Sequence, residues 1–456
     1  MFWERMRAQF GDTYADSLAN DYVLSTLGGR TVKTALADGE DAKTVWRAIC
    51  ETFDVPESLR LLPRAVTADC RTVLYMPINI PNGSWRLFAD NRPVTSHVHL
   101  DSAAAGRSSV ATLAAVAEHA EREATVGAYV AAAEAAPVLE RGRADLAGLL
   151  GVEPEGIAFT SNATSALGAL LQAWPVSLGD TIAVAQSEWG PNLDAFTDRG
   201  LRLVPLPVDG TGAVAVESLR HFFGIMMPSL VHLTLVASHR PLVQPAGAVA
   251  EACREFGIPL WVDAAQALGH VDVSAAGADA VYASSRKWLT GPRGVGILGV
   301  GSSWLPKLRP RVSELERDSV GDGSPALLLE PSEAHVAGRV GLCNAVREYL
   351  SSGPSAVGDR LAAVGAMTRS CLASVPGWSV VGDESAPSAI TALRPLAGQD
   401  VSEVRRYLLE EHEIVTTAAH PARAPRDMTE PYLRISPHVD VTEESLKRLA
   451  AALPSS

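Results

Sequence analysis

A lysine and an aspartate each follow a predicted strand, at positions where side chains could act on a carbonyl compound. Lys287 comes just after the apolar run 278–283, and Asp263 ends the run 259–263. Burial lowers the pKa of a lysine amine, which then attacks a carbonyl and forms a Schiff base more readily. A carboxylate at a strand end, where open α/β sheets bind ligands, can pair with a protonated ring nitrogen. Taken alone, a lysine such as Lys287 is far more often a surface-loop lysine, and an aspartate such as Asp263 is more often a helix N-cap.

A short polar segment between a predicted strand and a predicted helix is the third candidate element. Residues 159–166 have the sequence FTSNATSA, so small polar side chains stand at the start of the helix. Free N–H groups and the helix dipole attract an anion there, and hydroxyl groups can add donors. Simple helix capping explains the same residues equally well. As an anion site, the segment would use Ser161, Asn162, Ala163 and Thr164, and Ser284 and Arg286 could complete it.

The three elements together are far more specific than any one of them. An anion site, a carboxylate and a buried amine at strand ends match the phosphate, the ring nitrogen and the aldehyde of pyridoxal 5′-phosphate. We therefore expect an enzyme that uses this cofactor, with Lys287 as its catalytic amine. We expect no resident metal ion.

The segments that would position these residues alternate between apolar runs of strand length and helical patterns. Near-continuous apolarity is typical of strands buried on both faces, and intervening helices such as 164–173 and 248–256 favour a mostly parallel α/β sheet. The predicted strands are 156–160, 181–185, 203–207, 231–236, 259–263, 278–283 and 295–300.

Four parts of the chain are predicted. Residues 1–66 form a small helical domain, because apolar residues recur in them at helix-like spacing. Residues 67–96 lack a clear period and are expected to be a linker. Residues 97–301 form the large α/β domain, whose first segment contributes to the smaller α+β domain at 302–456. The helical spacing rests on Phe2, Met6, Phe10, Leu24, Leu27 and Val32, then on Val45, Trp46, Ile49 and Phe53; the smaller domain has predicted strands 378–381 and 389–393 and helices 340–350 and 401–411.

Composition excludes several classes of protein. The chain has 456 residues, 47% of them apolar and 20% charged, which excludes wholesale disorder. With 39 Lys and Arg against 52 Asp and Glu, the formal net charge is −13, so we expect no nucleic-acid partner. The apolar runs are far shorter than the roughly 20 residues that span a bilayer, so we expect no membrane contact. Five cysteines without a C-x-x-C pair, and no visible targeting segment, predict a cytoplasmic protein.

Several motifs resemble those of the class V aminotransferase group of fold-type I pyridoxal-phosphate enzymes, which includes cysteine desulfurases and isopenicillin N epimerase-like proteins. The resemblance covers residues 99–453 and begins with HLDSAAA at 99–105, which is similar to an N-terminal signature of the group. Within it, the chain is most similar to the carbon–sulfur lyases of ergothioneine biosynthesis. The motifs are VGAYVAA at 126–132, EWGPNL at 188–193, ASHR at 237–240, DAAQALGH at 263–270, SSRKWL at 284–289 and RISPHVDVT at 434–442.

The resemblance implies roles for individual residues. Lys287 would hold the cofactor, Asp263 would pair with its pyridinium nitrogen and Gln266 would donate to its ring hydroxyl oxygen. Trp189 would cover the ring, although it could instead be a core tryptophan. Arg434 would hold the substrate carboxylate by its bidentate fork, with a surface salt bridge as the simpler alternative. Weaker candidates for substrate contacts are Asn192, Tyr129, His239, Arg240 and His438, and a structural role explains each of the two histidines at least as well.

The resemblance also implies a reaction, the cleavage of a cysteine S-conjugate sulfoxide. Hercynylcysteine sulfoxide would give a sulfenic acid, which an external thiol or other reductant converts to ergothioneine, together with pyruvate and ammonia. Tyr129 and Trp189 could contact the trimethylammonium group. Cysteine desulfurases need a mobile-loop cysteine, but the region 310–335 contains none, and Cys343 lies in a helical pattern.

Three other functions stay open from the sequence. Transamination, or a general cysteine or selenocysteine lyase, would use the same Lys287, Asp263 and anion site. An interaction protein with a vestigial cofactor domain is a third alternative. By analogy with the group we expect a homodimer, and residues 1–66 resemble a short bacterial helical family of unknown function.

Overall fold

The described part of the chain falls into two compact units. The computed structural model describes residues 3, 6, 19–20, 23–52, 85–310, 312–313, 317 and 323–455. The first unit spans residues 1–78 and the second spans residues 79–456. The residues of the candidate site all belong to the second unit.

The first unit contains a short strand pair as well as helices. Strand β1 (Val23–Leu24) pairs antiparallel with β2 (Arg30–Thr31), and helices α1 (Val32–Ala37) and α2 (Ala42–Thr52) follow. The chain reverses between the strands at Gly28 and Gly29, whose φ angles of 69° and 74° suit glycine.

The strand pair corrects part of the helical prediction for this unit. Leu24 lies in a strand and Leu27 in a 3-10 helix, so the spacing that suggested one helix reflects burial in a shared core. The helix predicted from Val45, Trp46 and Ile49 is confirmed as α2. The predicted positions Phe2, Phe10 and Phe53 lie outside the described residues.

A seven-stranded sheet forms the centre of the second unit. Its strands are β4 (Ile157–Thr160), β5 (Thr181–Val184), β6 (Arg202–Pro205), β7 (Leu230–Thr234), β8 (Leu260–Asp263), β9 (Ala280–Ser284) and β10 (Gly296–Val300). Their order is β4-β10-β9-β8-β7-β5-β6, and every pair is parallel except those of β10, which runs antiparallel to both neighbours. The predicted mostly parallel α/β sheet is confirmed, and each strand lies within two residues of its predicted bounds.

Side chains alternate between two cores on the faces of this sheet, as the strand period of two requires. Phe159, Val231 and Val262 face one core, whereas Leu230 and Trp261 face the other. Only β6, at the edge of the sheet, departs from the expected burial on both faces, because its side chains are partly or fully exposed.

Helices cover both faces of the sheet and lead into a second sheet. The helices are α3 (Trp85–Asp90), α4 (Val110–Val126), α5 (Ala128–Leu150), α6 (Ala163–Ala173), α7 (Gly190–Asp198), α8 (Val216–Met226), α9 (Ala246–Phe256), α10 (Val336–Ser351), α11 (Pro354–Leu372), α12 (Val401–His412) and α13 (Glu443–Ala452). The remaining strands are β3 (Val98–His99), β11 (Trp378–Val381), β12 (Thr391–Pro395), β13 (Ile414–Val415), β14 (Thr417–Ala419) and β15 (Tyr432–Ile435). The antiparallel order β11-β12-β15-β14 agrees with the α+β pattern predicted after residue 302.

One parallel strand pair ties the start of the second unit to its last part. β3 pairs with β13, and the N–H of Ser436 donates to the carbonyl of Leu100 at 2.8 Å. As a result Asp101 lies opposite Ser436, one residue beyond the end of β15.

The interval 67–96, expected as a linker, contains helix α3. Phe88 on this helix is fully buried in the core of the second unit. Arg92 lies 4.2 Å from the Phe88 ring centroid and forms a 2.7 Å ion pair with Glu348 on α10. The sequence did not predict this helix, because its six residues bury only one side chain, Phe88, and one buried position gives no helical period.

The long helices that the structure describes carry charged side chains along their length. The longest, α5, has 23 residues and contains Glu134, Glu140, Arg143 and Asp145. In the described part of the chain, we find no helix with the length and apolarity needed to cross a membrane.

We expect Phe88→Ala to lower the free energy of unfolding by about 3–5 kcal/mol, because a buried aromatic ring leaves a cavity when it is removed. Leu87→Ala, on the same helix with a side chain 60% exposed, is the control and should cost no more than about 0.5 kcal/mol. Urea unfolding of the two full-length variants measures the difference. Equal midpoints would show that α3 does not belong to the core.

Candidate active site

Lys287 and Asp263 meet because their strands are parallel neighbours. Asp263 is the last residue of β8, and it pairs with Tyr282 of β9. β9 ends at Ser284, three residues before Lys287. Both side chains therefore start from the same edge of the sheet, where open α/β sheets bind ligands.

A tight turn fixes the backbone of Lys287. The N–H of Thr290 donates to the carbonyl of Lys287 at 3.1 Å, and Thr290 itself has a left-handed φ of 57°. Gly106 crosses this turn and donates its N–H to the carbonyl of Arg286 at 2.7 Å. A Cβ at position 106 would lie 2.3 Å from the Lys287 carbonyl oxygen, so the crossing requires glycine.

Burial changes the charge state of the Lys287 amine, although its side chain keeps some exposure. Burial lowers its pKa to about 7, and the cations Arg286, Arg434 and Arg423 act in the same direction. The carboxylate of Asp263 opposes them. Near neutral pH a large fraction of the amine is therefore unprotonated and can act as a nucleophile or a base.

Asp263 is a buried carboxylate held by two hydrogen bonds. Its Oδ2 accepts from Asn192 Nδ2 at 2.9 Å, and its Oδ1 accepts from the N–H of Ala265 at 2.8 Å. Burial raises the pKa of Asp263, and the negative charge of Glu188 adds to this effect, whereas Lys287 and the two hydrogen bonds lower it. A cationic ring nitrogen would offset the cost of burying this carboxylate.

Gln266 is fixed by the protein on both sides of its amide. Its Nε2 donates to the carbonyl of Ala103 at 2.8 Å, and its Oε1 accepts from Trp288 Nε1 at 2.9 Å. One N–H of the amide remains for another acceptor. This geometry is compatible with the predicted bond to a ring hydroxyl oxygen.

The predicted anion segment combines capping with a free donor. Asn162 caps α6 in a reciprocal capping box with Ser165, and the N–H of Ala163 donates to Ser284 Oγ at 3.1 Å. Among the described residues the N–H of Thr164 has no partner, and the side chains of Ser161 and Thr164 are exposed. Capping and an anion site are therefore compatible at this helix start.

Arg434 lies inside the protein rather than in a surface salt bridge. Its Nη1 donates to the carbonyl of Ser238 at 2.8 Å, and its Nη2 donates to Asp101 Oδ1 at 3.0 Å. The side chain is fully buried, which lowers its pKa, and Nε has no partner among the described residues. The surface alternative for this residue is wrong.

Arg423 is a second cation that the sequence analysis missed. It ends a 3-10 helix, Pro421–Arg423, and its guanidinium lies 5.6 Å from the centroid of the Trp189 ring. Burial and the charge of Arg434 lower its pKa to about 10. No motif marked this position, because its proximity to Lys287 comes only from the tertiary fold.

His239 and Arg240 share one carboxylate. His239 Nε2 lies 2.6 Å from Asp427 Oδ2, and Arg240 Nε donates to the same oxygen at 2.7 Å. Burial alone would raise the pKa of Asp427, but these bonds lower it to about 2. His239 Nδ1 is buried without a partner among the described residues. The pair adjoins Arg434 through Ser238.

Of the remaining residues predicted to contact the substrate, one is exposed and two are buried. Tyr129, at the start of α5, is 89% exposed, and no described contact links it to Lys287. His438 is buried, its Nε2 lies 3.0 Å from the carbonyl of Trp288, and burial lowers its pKa to about 4. Asn192 is buried below the site, where its amide bridges Asp263 and Glu188.

Cys253 and Cys343 are packed rather than reactive. Burial raises the pKa of Cys253 to about 12 and that of Cys343 to about 11. Cys343 lies in α10, which confirms the helical prediction for it. Reactive cysteines usually have a lowered pKa, so neither thiol is suited to nucleophilic chemistry.

The donor set fits pyridoxal phosphate. The Lys287 amine, with a pKa of about 7, matches the cofactor aldehyde. The buried Asp263 carboxylate, held by Asn192, matches the ring nitrogen, and the start of α6 matches the phosphate. Residues 98–449 match the family described as Aminotransferase class-V. The chain belongs to the class V aminotransferase family. Its cofactor is pyridoxal phosphate, and the resemblance inferred from the motifs is confirmed.

This class V protein is similar to proteins of several activities. It is 47% identical to a probable hercynylcysteine sulfoxide lyase of Mycobacterium tuberculosis, over 79% of this chain and 91% of that protein. It is 28% identical to isopenicillin N epimerase of Streptomyces clavuligerus, over 70% and 85% of the two chains. The apo structure of a cysteine desulfurase from Thermococcus onnurineus NA1 has a TM-score of 0.70 at 19% identity, covering 83% of this chain and 98% of that chain, and it shows the fold alone.

The first residues match a different family model. Residues 1–58 match a family described as a protein of unknown function (DUF3046). This match agrees with the resemblance inferred for residues 1–66. The two matched ranges, 1–58 and 98–449, do not overlap.

We expect the Lys287 amine of the cofactor-free protein to react with an acylating reagent at a rate that rises with pH to a half-maximum near pH 7, because only the neutral amine is nucleophilic and its pKa is about 7. Mass spectrometry of labelled peptides measures the rate at each lysine. Lys447, exposed and paired with Glu443, is the control, since the pair raises its pKa above 10.5. Parallel pH profiles for the two lysines would contradict the account.

Proposed function

We propose that this protein is a pyridoxal-phosphate-dependent carbon–sulfur lyase of ergothioneine biosynthesis that acts on hercynylcysteine sulfoxide. The identity of 47% to a probable lyase of that name, over 91% of its length, supports the substrate class. The observation that carries the chemistry is the Lys287 amine, with its pKa near 7, beside the buried carboxylate of Asp263. An acidic Cα–H bond and a leaving group on Cβ are the substrate features that this site needs.

Each residue in the site has a proposed task. The cofactor supplies an electron sink that stabilises negative charge at the substrate Cα. Asp263 holds the ring nitrogen in its protonated form, Gln266 donates to the ring hydroxyl oxygen and Trp189 covers the ring. Ser161, Asn162, Ala163, Thr164, Ser284 and Arg286 form the proposed phosphate site.

The proposed elimination is driven by one base. Lys287 removes the Cα proton, and the electron pair of that bond forms the Cα–Cβ double bond while the Cβ–S bond breaks. The sulfur leaves as a sulfenate and takes up a proton. The three-carbon enamine product then reacts with water to give pyruvate and ammonia. Two molecules of an external thiol reduce the sulfenic acid to the thione; they are oxidised to one disulfide, and the sulfenic oxygen leaves as water.

Arginines near the site are proposed to fix the substrate. Arg434 would use its partnerless Nε toward the α-carboxylate, with its Nη groups held by Ser238 and Asp101. A fixed carboxylate orients the Cα–H bond toward the base. Arg423, close to the Trp189 ring, adds positive charge near Lys287.

Location, assembly and partners complete the proposal. We propose a cytoplasmic homodimer, by analogy with the family. The partners are the sulfoxide substrate and an external thiol or other reductant.

The product test is decisive for the reaction type. We expect the cofactor-loaded protein, given hercynylcysteine sulfoxide and a thiol, to release pyruvate and ergothioneine in equal amounts. Lys287→Ala should lower the rate by about 100-fold or more, since it removes the general base. Lys307→Ala replaces an exposed lysine outside the site; it is the matched control, and its rate should equal that of wild type.

Other products would point to the alternatives. Transamination would give a keto acid that keeps its sulfur and would release no ammonia. A desulfurase would give alanine. Release of pyruvate from simple cysteine or selenocysteine conjugates at a higher kcat/KM would identify a general lyase. Full pyruvate release by Lys287→Ala would overturn the mechanism itself.

An aromatic contact with the trimethylammonium group gives a second test of the substrate. We expect Tyr129→Ala to raise KM for hercynylcysteine sulfoxide by about 2-fold to 5-fold, the range of a cation–π contact at an exposed site, with no change for S-propylcysteine sulfoxide. Val130→Ala, next to it and 51% exposed, is the control. Equal changes in KM for both substrates would reject Tyr129 as the contact.

A further inference from the structure

Glu188 is a fully buried carboxylate that the proposed reaction does not use. It precedes Trp189 and lies just before helix α7. Its Oε1 accepts from the N–H of Trp189 at 2.9 Å and from Asn192 Nδ2 at 2.9 Å, and the hydroxyl of Thr234 donates to the same oxygen. Its Oε2 lies 2.8 Å from His232 Nδ1. A buried acid with four donors around it is built as an anion.

The surrounding donors explain why Glu188 stays ionised. Burial alone would raise its pKa, but His232, Thr234 and Asn192 together lower it. His232 Nε2 lies 2.8 Å from the hydroxyl of Tyr282, whose pKa burial raises well above 10. Tyr282 therefore keeps its proton. Because an ionised carboxylate only accepts, His232 Nδ1–H donates to Glu188, and the Tyr282 hydroxyl lies at Nε2.

Asn192 joins this anion to the site. Its amide has two hydrogens, one directed to Glu188 Oε1 and the other to Asp263 Oδ2, both at 2.9 Å. Two buried carboxylates thus share one neutral bridge. Because like charges at short range favour protonation, the charge of Glu188 raises the pKa of Asp263. The charged or titratable groups facing this pair are His232 on β7, Tyr282 on β9 and Lys287 after β9.

We infer that Glu188 is a positioning residue that acts through Asn192 and Asp263 to keep the proton on the ring nitrogen of the bound cofactor. This inference rests on the proposed pairing of Asp263 with that nitrogen. A ring cation close to two carboxylates is stabilised more than one close to a single carboxylate. Asn192 fixes the orientation of Asp263, and the bond from the Trp189 N–H fixes the residue proposed to cover the ring.

The substitution Glu188→Gln tests the charge while keeping the shape. The glutamine carbonyl can accept from Trp189, Asn192 and Thr234. Its amide can donate to His232 Nδ1 once His232 takes its other tautomer and donates from Nε2 to the Tyr282 oxygen. The variant therefore keeps every hydrogen bond and loses only the negative charge.

The measurement compares two cofactors that differ at the ring nitrogen. Pyridoxal phosphate and 1-deazapyridoxal phosphate, in which a C–H group replaces that nitrogen, are titrated into the full-length protein after removal of its cofactor. The ratio of the two dissociation constants isolates the contribution of the ring proton. We expect wild type to prefer pyridoxal phosphate and Glu188→Gln to reduce this preference by about tenfold, a shift of one pKa unit.

Two further variants make every outcome decisive. Ser187→Ala removes a buried hydroxyl next to Glu188 that accepts from Gln244 and lies outside this network, and it should keep the wild-type preference. Thr234→Val removes one hydrogen-bond donor that lowers the pKa of Glu188. It should therefore also reduce the preference for pyridoxal phosphate over the deaza cofactor. This variant replaces Glu188→Gln in the test if Glu188→Gln does not fold. Equal weakening of both cofactors by Glu188→Gln would mean that Glu188 is merely structural and would overturn the inference.

The same experiment separates this inference from the proposed function. If wild type binds both cofactors equally, the pairing of Asp263 with the ring nitrogen fails, and the inference fails with it. If wild type discriminates and Glu188→Gln discriminates to the same degree, only the inference fails. Loss of preference in Asp263→Asn alone would assign the whole effect to Asp263.

Discussion

Burial of opposite charges at one edge of the sheet is the constraint on which the site depends. Lys287 and Asp263 lie at the ends of adjacent parallel strands, where each reduces the cost of burying the other. The balance leaves an amine with a pKa of about 7 rather than a fully charged ammonium. The same low-polarity setting that makes Lys287 reactive also obliges Asp263 and Glu188 to be hydrogen-bonded throughout.

The rest of the second unit brings distant segments to that edge. The pairing of β3 with β13 sets Asp101 beside Arg434, and Gly106 then passes over the turn that carries Lys287. Alternation along the strands puts His232, Asp263 and Tyr282 on one face, which α7 covers with Asn192. The site is therefore assembled from segments more than 300 residues apart, and its geometry depends on both sheets.

The strands and the residues at their ends could be predicted from the sequence, because apolar runs and adjacent polar residues are local signals. The same holds for Lys287, Asp263 and the anion segment. The ionised state of Glu188, the approach of Arg423 to Trp189 and the burial of Phe88 could not be predicted. Each depends on contacts between residues far apart in the chain, and α3 is too short to give a period. The antiparallel direction of β10 could not be predicted either, because a buried strand has the same apolar composition whether it runs parallel or antiparallel to its neighbours.

The central claim, that Lys287 is the amine that holds the cofactor, has one direct test. The chain contains five lysines, Lys33, Lys43, Lys287, Lys307 and Lys447, so the assignment can be complete. Borohydride reduction of the cofactor-loaded protein fixes the cofactor on its amine, and mass spectrometry of the digest then locates it. The account predicts one adduct per chain, on Lys287. An adduct on any other lysine, or a reduced protein with none, would contradict it.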